Sequence, residues 1–259
     1  MKHVRLAVLK LLMPLALFSC VSTTTGGFSV EASREQALSD FIDLAFGYYE
    51  ADDMVRAKRN VDNALSIDRR SSEAHHVRAL IHQREGEPEL ARQMFDQAMR
   101  LDRNNSRARN NYAAFLFARA EFEQAYEHLE IVANDVNYES RPMAFLNLGL
   151  ASLRTGRVER AVYAFERGLL LDRNLFRASL ELARIHFDRG EFAEAMRYYQ
   201  QFVTSTEFYN VPQTAGSLWL GIQLARRFDD QDRESAYAAS LQSRFPGSDE
   251  YRAWLQSEQ

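Results

Sequence analysis

The residues able to do chemistry are few. Cysteine occurs once in 259 residues, as Cys20, so neither a disulfide framework nor a multi-cysteine zinc or iron–sulfur site can be built. The phosphate-cradling GxxxxGK[ST], the dinucleotide GxGxxG, the zinc-binding HExxH and the nucleophile motif GxSxG are all missing. His75 and His76 are adjacent, and on a helix adjacent side chains diverge by about 100°, so the two rings cannot readily share a metal. Asp229-Asp230-Gln231-Asp232 has the acidity of a calcium loop without its glycine or distal glutamate, and reads as a solvated turn. Glu191, Glu194 and Arg197 belong to a solvated helix face. The net charge is -4 and the arginines are scattered, which argues against a dedicated nucleic-acid binder. No cofactor, metal or small-molecule substrate is implied, and the chain does not read as an enzyme. What remains is recognition by apolar side chains and by amides. Asn110, Asn111 and Asn147 can each donate and accept, which suits a grip on a peptide backbone.

Cys20 matters by its position. Lys2, Arg5 and Lys10 precede an apolar stretch, Leu11 to Phe18, that is too short to span a bilayer. The stretch ends Leu17-Phe18-Ser19-Cys20, which resembles the bacterial lipobox: Leu17 is the aliphatic residue, Ser19 the small one and Cys20 the lipidated thiol. Phe18 is bulkier than usual for its place. The resemblance implies a signal peptide over 1–19, cleavage before Cys20 and acylation of the new terminus, and several acyl chains anchor where one holds only marginally. Val21 rather than Asp follows the cysteine, which by the same resemblance favours the outer membrane. No second long apolar run follows. Residues 20–35, small, polar and containing Gly26 and Gly27, are expected to be a flexible tether.

The remainder must position the recognition groups, and it repeats. Ile67-Asp68-Arg69, Leu101-Asp102-Arg103 and Leu171-Asp172-Arg173 mark unit ends 34 and then 70 residues apart, so one two-residue insertion lies between the last two. A small residue recurs at Ala45, Ala79, Ala113, Gly149, Ala183 and Gly221. Twelve residues after the first five stand Ala57, Ala91, Ala125, Ala161 and Ala195, and four further on Val61, Phe95, Leu129, Phe165 and Tyr199. Turn glycines fall at Gly86, Gly156 and Gly190. This matches the tetratricopeptide pattern, in which small residues let two helices approach and a bulky one fills the next turn. The expected fold is all-α: a right-handed superhelical solenoid over 36–248 of about six helix pairs, near 38–71, 72–105, 106–141, 142–175, 176–209 and 214–248, with a capping helix over 249–259. A loop is expected at 205–213, an expanded turn at 228–232 and a second helix of the sixth unit from about Arg233. Arg78 replaces a usual leucine, so the second unit's helices are expected to pair more loosely.

Stacked pairs form a concave face lined by set positions of each first helix. Phe41, Ile42, Phe46 and Tyr49 make the first unit apolar where a terminal unit should be polar, which suggests a partner surface, unless residues 28–37 fold back over it. The fourth unit puts Met143, Leu146, Leu150 and Leu153 on this face, which form either a greasy groove for an amphipathic helix or packing against neighbouring first helices; Phe117, Leu180 and Phe187 are lining candidates of the third and fifth units. Arg184, with Arg84 and Arg154, is a candidate cation. Arg107 and Arg177 occupy the same position of their units on this face.

Anchor motif, tether and six units together resemble the type IV pilus biogenesis and stability lipoproteins, the PilF/PilW pilotin family. The likeness is carried by Ala64-Leu65-Ser66-Ile67-Asp68, Asn110-Asn111-Tyr112-Ala113-Ala114-Phe115-Leu116, Leu146-Asn147-Leu148-Gly149-Leu150 and Ala161-Val162-Tyr163-Ala164-Phe165, and covers nearly the whole chain. It implies an outer-membrane adaptor, lipid-anchored at the periplasmic face through Cys20. Its implied client is the type IV pilus secretin, whose subunits it would escort and help to assemble into multimers. The alternative is a lipoprotein scaffold of the same build serving β-barrel assembly or peptidoglycan enzymes.

Overall fold

The computed structural model describes residues 27–258, and every regular element among them is an α-helix. The signal segment, Leu17, Ser19, Cys20 and the start of the tether lie outside the described residues. Helix α1 (Gly27–Glu50) pairs with α2 (Met54–Ile67), α3 (Ser72–Arg84) with α4 (Pro88–Leu101), and α5 (Ser106–Ala118) with α6 (Phe122–Asn134). Next, α7 (Arg141–Arg154) pairs with α8 (Val158–Leu171), α9 (Phe176–Asp188) with α10 (Phe192–Phe208), and α11 (Ala215–Arg227) with α12 (Gln231–Arg244). First helices also touch first helices, α1 with α3, α3 with α5, α5 with α7 and α7 with α9, which is the stacking of a superhelical solenoid. Among the described residues no helix is long and apolar enough to cross a membrane.

Each pair is closed by the small residues. Ala45, Ala79, Ala113 and Ala183 are fully buried, as are Ala57, Ala91, Ala125, Ala161 and Ala195 opposite them. The limit is plainest where glycine replaces alanine. A Cβ at Gly149 would overlap the ring of Phe165, and one at Gly221 would overlap the ring of Tyr237 in its own pair and the phenol of Tyr199 in the pair before. The filling residues Val61, Phe95, Leu129, Phe165 and Tyr199 are all buried. Tyr199 also donates to the Ser217 carbonyl at 2.9 Å, which ties α10 to α11.

One residue in each turn between paired helices has a left-handed backbone. Gly86, Gly156 and Gly190 hold φ near +75°, where glycine carries no Cβ penalty. Asp52, Ala120 and Asp229 hold φ of 60°, 61° and 58° at the matching places. The turn is therefore general, and glycine marks only half of its occurrences. The acidic stops are built alike. Asp68, Asp102 and Asp172 each follow a second helix, and each carboxylate accepts the backbone N–H two residues on, at 2.8, 2.8 and 2.9 Å. Asp135 does the same for Asn137 at 3.0 Å, so the two-residue insertion sits in the α6–α7 loop and leaves the turn chemistry unchanged.

Several expectations are corrected. The tether does not reach residue 35, because α1 begins at Gly27. No proline interrupts Phe28 to Glu50, and Arg34 Nη2 donates to the Ile67 carbonyl at 2.6 Å, which fastens this extension to the end of α2. Residues 28–37 thus continue α1 and do not fold back over it. The loop at 205–213 is shorter, since α10 runs to Phe208. Helix α12 starts at Gln231, where the Asp230 side chain accepts from the Arg233 N–H, so the acidic turn ends as a helix cap. Arg78 does not loosen its unit: its guanidinium turns to Asp62 on α2, and α3 still closes on α4 through Ala79, Ala91 and Phe95. The last helix, α13 (Asp249–Ser257), packs Tyr251 and Trp254 against Leu218 and Trp219.

If contact between Gly149 and Phe165 sets the spacing of the fourth unit, Gly149→Ala lowers unfolding stability by about 1–3 kcal/mol. Denaturant titration measures this, and Phe165→Leu in the same chain recovers part of the loss. An unchanged midpoint would place the helix crossing elsewhere.

Candidate functional site

The concave face starts with residues that sequence placed on it and the structure places beneath it. Ile42 and Phe46 are 4% and 8% exposed and belong to the core of the first units. The correction has a cause remote in sequence: Phe46 lies edge-on to His76 at 5.3 Å and is covered by the Arg107 guanidinium at 3.8 Å, two units away. Phe41 packs partly buried against the same core. Tyr49 is half-buried and carries Arg84 over its ring at 4.6 Å, with Arg84 held by Asp52 at 2.7 Å. The first unit therefore presents much less free apolar surface than its sequence suggests.

Asparagines link the units. Asn111 Nδ2 donates to His76 Nε2 at 2.8 Å, and Asn147 Nδ2 donates to Asn110 Oδ1 at 3.3 Å. Each bond joins a first helix to the next one along. One amide group of each pair is thus already engaged, and Asn110 is buried. His76 is fully buried, and its Nδ1 has no hydrogen-bond partner. Burial, helped by the positive charge of Arg107, holds its pKa down to about 3, so the ring is neutral at any physiological pH.

Aromatic and guanidinium groups form a second series of links, legible neither as motif nor as charge run. Phe117 meets Phe122 edge-on at 5.1 Å, and Arg154 of the next unit lies 3.9 Å over Phe122. Phe187 meets Phe192 at 5.4 Å, and Arg227 of the next unit lies 4.5 Å over Phe192. With Arg84 on Tyr49, odd-numbered units supply the ring and even-numbered units the cation. The signal in sequence is the spacing of Tyr49, Phe117 and Phe187 with Arg84 and Arg154, a period of two units.

The predicted residues converge in the middle of the stack. Phe117, Asn147 and Leu150 line one cleft of about 130 Å³, with Ala113, Ala114 and Leu129 as its floor and Arg177 at its rim. Leu153 is half-buried and packs against the neighbouring core, as Phe187 does, while Leu180 is buried outright. Arg184 is drawn off by Glu181 at 3.4 Å. Of the two readings of the fourth unit's apolar residues, packing accounts for Leu146, which is buried, and for Leu153; Leu150 lines the groove, and Met143 is exposed outside that cleft's lining. The one grouping of possible metal ligands among the described residues, His82, Glu85 and Glu87, is already satisfied by pairs within the protein: Glu87 on His82 and Lys58 on Glu85, both at 2.6 Å. What the cleft offers is apolar contact from Phe117 and Leu150, an amide from Asn147 and a guanidinium from Arg177.

The tetratricopeptide repeat family matches residues 82–137 and again 177–205. The type IV pilus assembly protein PilF of Pseudomonas aeruginosa is 34% identical over 247 residues, which span 95% of this chain and 96% of that one. A solved structure of Pseudomonas aeruginosa PilF superposes with a TM-score of 0.81 at 36% identity, over 88% of this chain and all of the other. A crystal structure of PilW, described as a widely conserved type IV pilus biogenesis factor, superposes with a TM-score of 0.69 at 27% identity, over 85% and 99%.

The neutral buried imidazole has a measurable consequence. The unfolded chain binds a proton at His76 near pH 6.5, and the folded chain resists it until about pH 3. Stability is therefore full above pH 6.5 and falls as the pH drops below it. Between pH 7.5 and 5, the contribution of this site is a loss of about 2 kcal/mol. His128, also held low by burial and by Arg109, adds in the same direction. Urea titrations at the two pH values test this, and His76→Gln should flatten the dependence; an equally steep dependence in the variant would assign it to other groups.

Proposed function

Because the chain belongs to the type IV pilus biogenesis family of tetratricopeptide proteins, we propose that it is the pilotin of its pilus system, a lipid-anchored outer-membrane adaptor that binds secretin subunits and promotes their localisation and assembly into multimers. The observation that carries this reading is the likeness to PilF, which extends over 95% of this chain and 96% of that one in sequence and over 88% of this chain in structure. Two properties of the chain support it. The Leu17–Ser19–Cys20 motif supplies a route to the outer membrane. The solenoid supplies a cleft whose size and lining suit a client side chain. Neither step requires bond making by the protein.

The adaptor works by joining the two properties. A client bound to an anchored chain is confined near the membrane, so encounters between subunits there replace encounters in the whole compartment. The solenoid contributes a fixed surface, and its inter-unit bonds keep the lining residues in register as the client is held.

Deleting the gene and resolving heat-stable secretin multimers in separated inner and outer membranes tests the reading. The expected result is loss or mislocalisation of multimers while monomer is still made; normal multimers in the outer membrane would overturn it. The anchor has its own test. Cys20→Ala leaves the circular dichroism spectrum and melting temperature of the solenoid unchanged and moves the protein from membrane to soluble fractions. A variant still floating with the outer membrane would remove Cys20 from the account.

A further inference from the structure

The chain as a whole carries a net charge of -4, yet the middle of its concave face has the opposite sign. Arg107 and Arg177 stand at the same position of the third and fifth units, and Arg154 at the end of the fourth unit's first helix. Arg107 lies over Phe46 and Arg154 over Phe122; Arg177 lines the cleft rim. Among the described residues none of the three has a carboxylate within ion-pair distance, whereas Arg157 at the start of α8 is paired with Glu123 and Arg160 within it with Glu130, both at 2.6 Å. The carboxylate nearest in sequence on this face, Glu181, is engaged by Arg184. Cations are thus left without carboxylate partners on the face that holds the Phe117–Leu150 cleft.

We propose that this cleft takes an acidic client segment. One bulky apolar side chain of that segment enters between Phe117 and Leu150, and carboxylates flanking it meet Arg177 on one side and Arg154 on the other. The volume, about 130 Å³, suits one such side chain and is too small for the full apolar stripe of a helix. Asn147 lines the same cleft, and its amide oxygen, not used in the bond to Asn110, is available to the client backbone. The Arg154 guanidinium is already stacked on Phe122, so little of its side-chain freedom is lost on pairing. The proposal rests on the concave face being the client surface of the adaptor, and it names the chemistry that face selects: carboxylates around an apolar anchor.

The probe is a fluorescent peptide of twelve residues with blocked ends, carrying one phenylalanine flanked by glutamates. Its comparisons replace the glutamates by lysines, or the phenylalanine by alanine. With the full chain, the glutamate peptide is expected to bind at least tenfold more tightly than either comparison, and to weaken several-fold when salt rises from about 50 to about 300 mM. Arg177→Glu should lower its affinity about tenfold and bring the lysine peptide up to it. Arg173→Glu, on the opposite side in the α8–α10 cleft, should leave both affinities unchanged. Equal binding of acidic and basic peptides, indifference to Arg177→Glu, or no binding of the glutamate peptide in the millimolar range would overturn the proposal. In cells the two readings part. If deletion abolishes secretin multimers and Arg177→Glu does not, the adaptor reading stands and the acidic segment fails. If deletion leaves multimers normal, the adaptor reading fails and the peptide preference is judged by the titrations alone.

Discussion

Where the two helices of a unit cross, there is room for a methyl group and in the fourth and sixth units not even for that. At Gly149 the facing ring of Phe165 occupies the space a Cβ would need, and at Gly221 that space is taken by the Tyr237 ring of the same pair and by the Tyr199 phenol of the preceding one. Such close crossing brings two backbones together along one line, fixes the angle between them and leaves each pair with one apolar flank uncovered. That flank must be buried by the next pair, which has the same shape, so the chain continues as a stack. The groove is the inner surface of this stack. Its lining is set by which positions of each first helix remain after the crossing residues have been used.

The two faces of the stack are held by different physics. On the second helices, bridges such as Arg92–Glu121, Arg157–Glu123 and Arg160–Glu130 join residues about 30 apart in water-accessible positions. The Arg160 guanidinium holds the Glu130 carboxyl below the usual carboxylate range, and Arg92 does the same to Glu121. Exposed pairs of this kind contribute modestly and are screened by salt. On the first helices the links are amide to imidazole, amide to amide and cation over ring. These are shorter-ranged and less sensitive to salt, and they leave several guanidiniums without a carboxylate. The inner surface can therefore present net positive charge inside a protein that is acidic overall.

The fold was legible because its rule is local. A small residue, a turn and an alanine twelve residues on recur by the same packing need, and the last helix falls at Asp249–Ser257, as expected. The left-handed turns at Asp52, Ala120 and Asp229 were not signalled, since only glycine advertises that conformation. The groove was legible as positions and less so as states. Phe46 looks free within its own unit, and His76 and Arg107, 30 and 61 residues on, cover it. Asn110, Asn111 and Asn147 look like open hydrogen-bonding groups until the neighbouring unit takes one bond from each pair. The helical start of α1 was hidden for the same reason. Its composition is neutral between helix and coil, and the Arg34 bond to Ile67 that fastens it joins residues 33 apart.

That early start changes how freely an anchored solenoid could roam. Only Val21 to Gly26 separate Cys20 from the first turn of α1, and that much chain spans at most about 25 Å when fully drawn out. Beyond it comes a rod of 24 residues, about 36 Å long, built into the first unit. With Cys20 lipidated as proposed, the groove would not drift on a long leash. Its height above the lipid would be bounded by those few residues and by the tilt of a single helix. Secretin subunits caught by several such molecules would then be presented at one common level, as parts of a ring must be before they can close it.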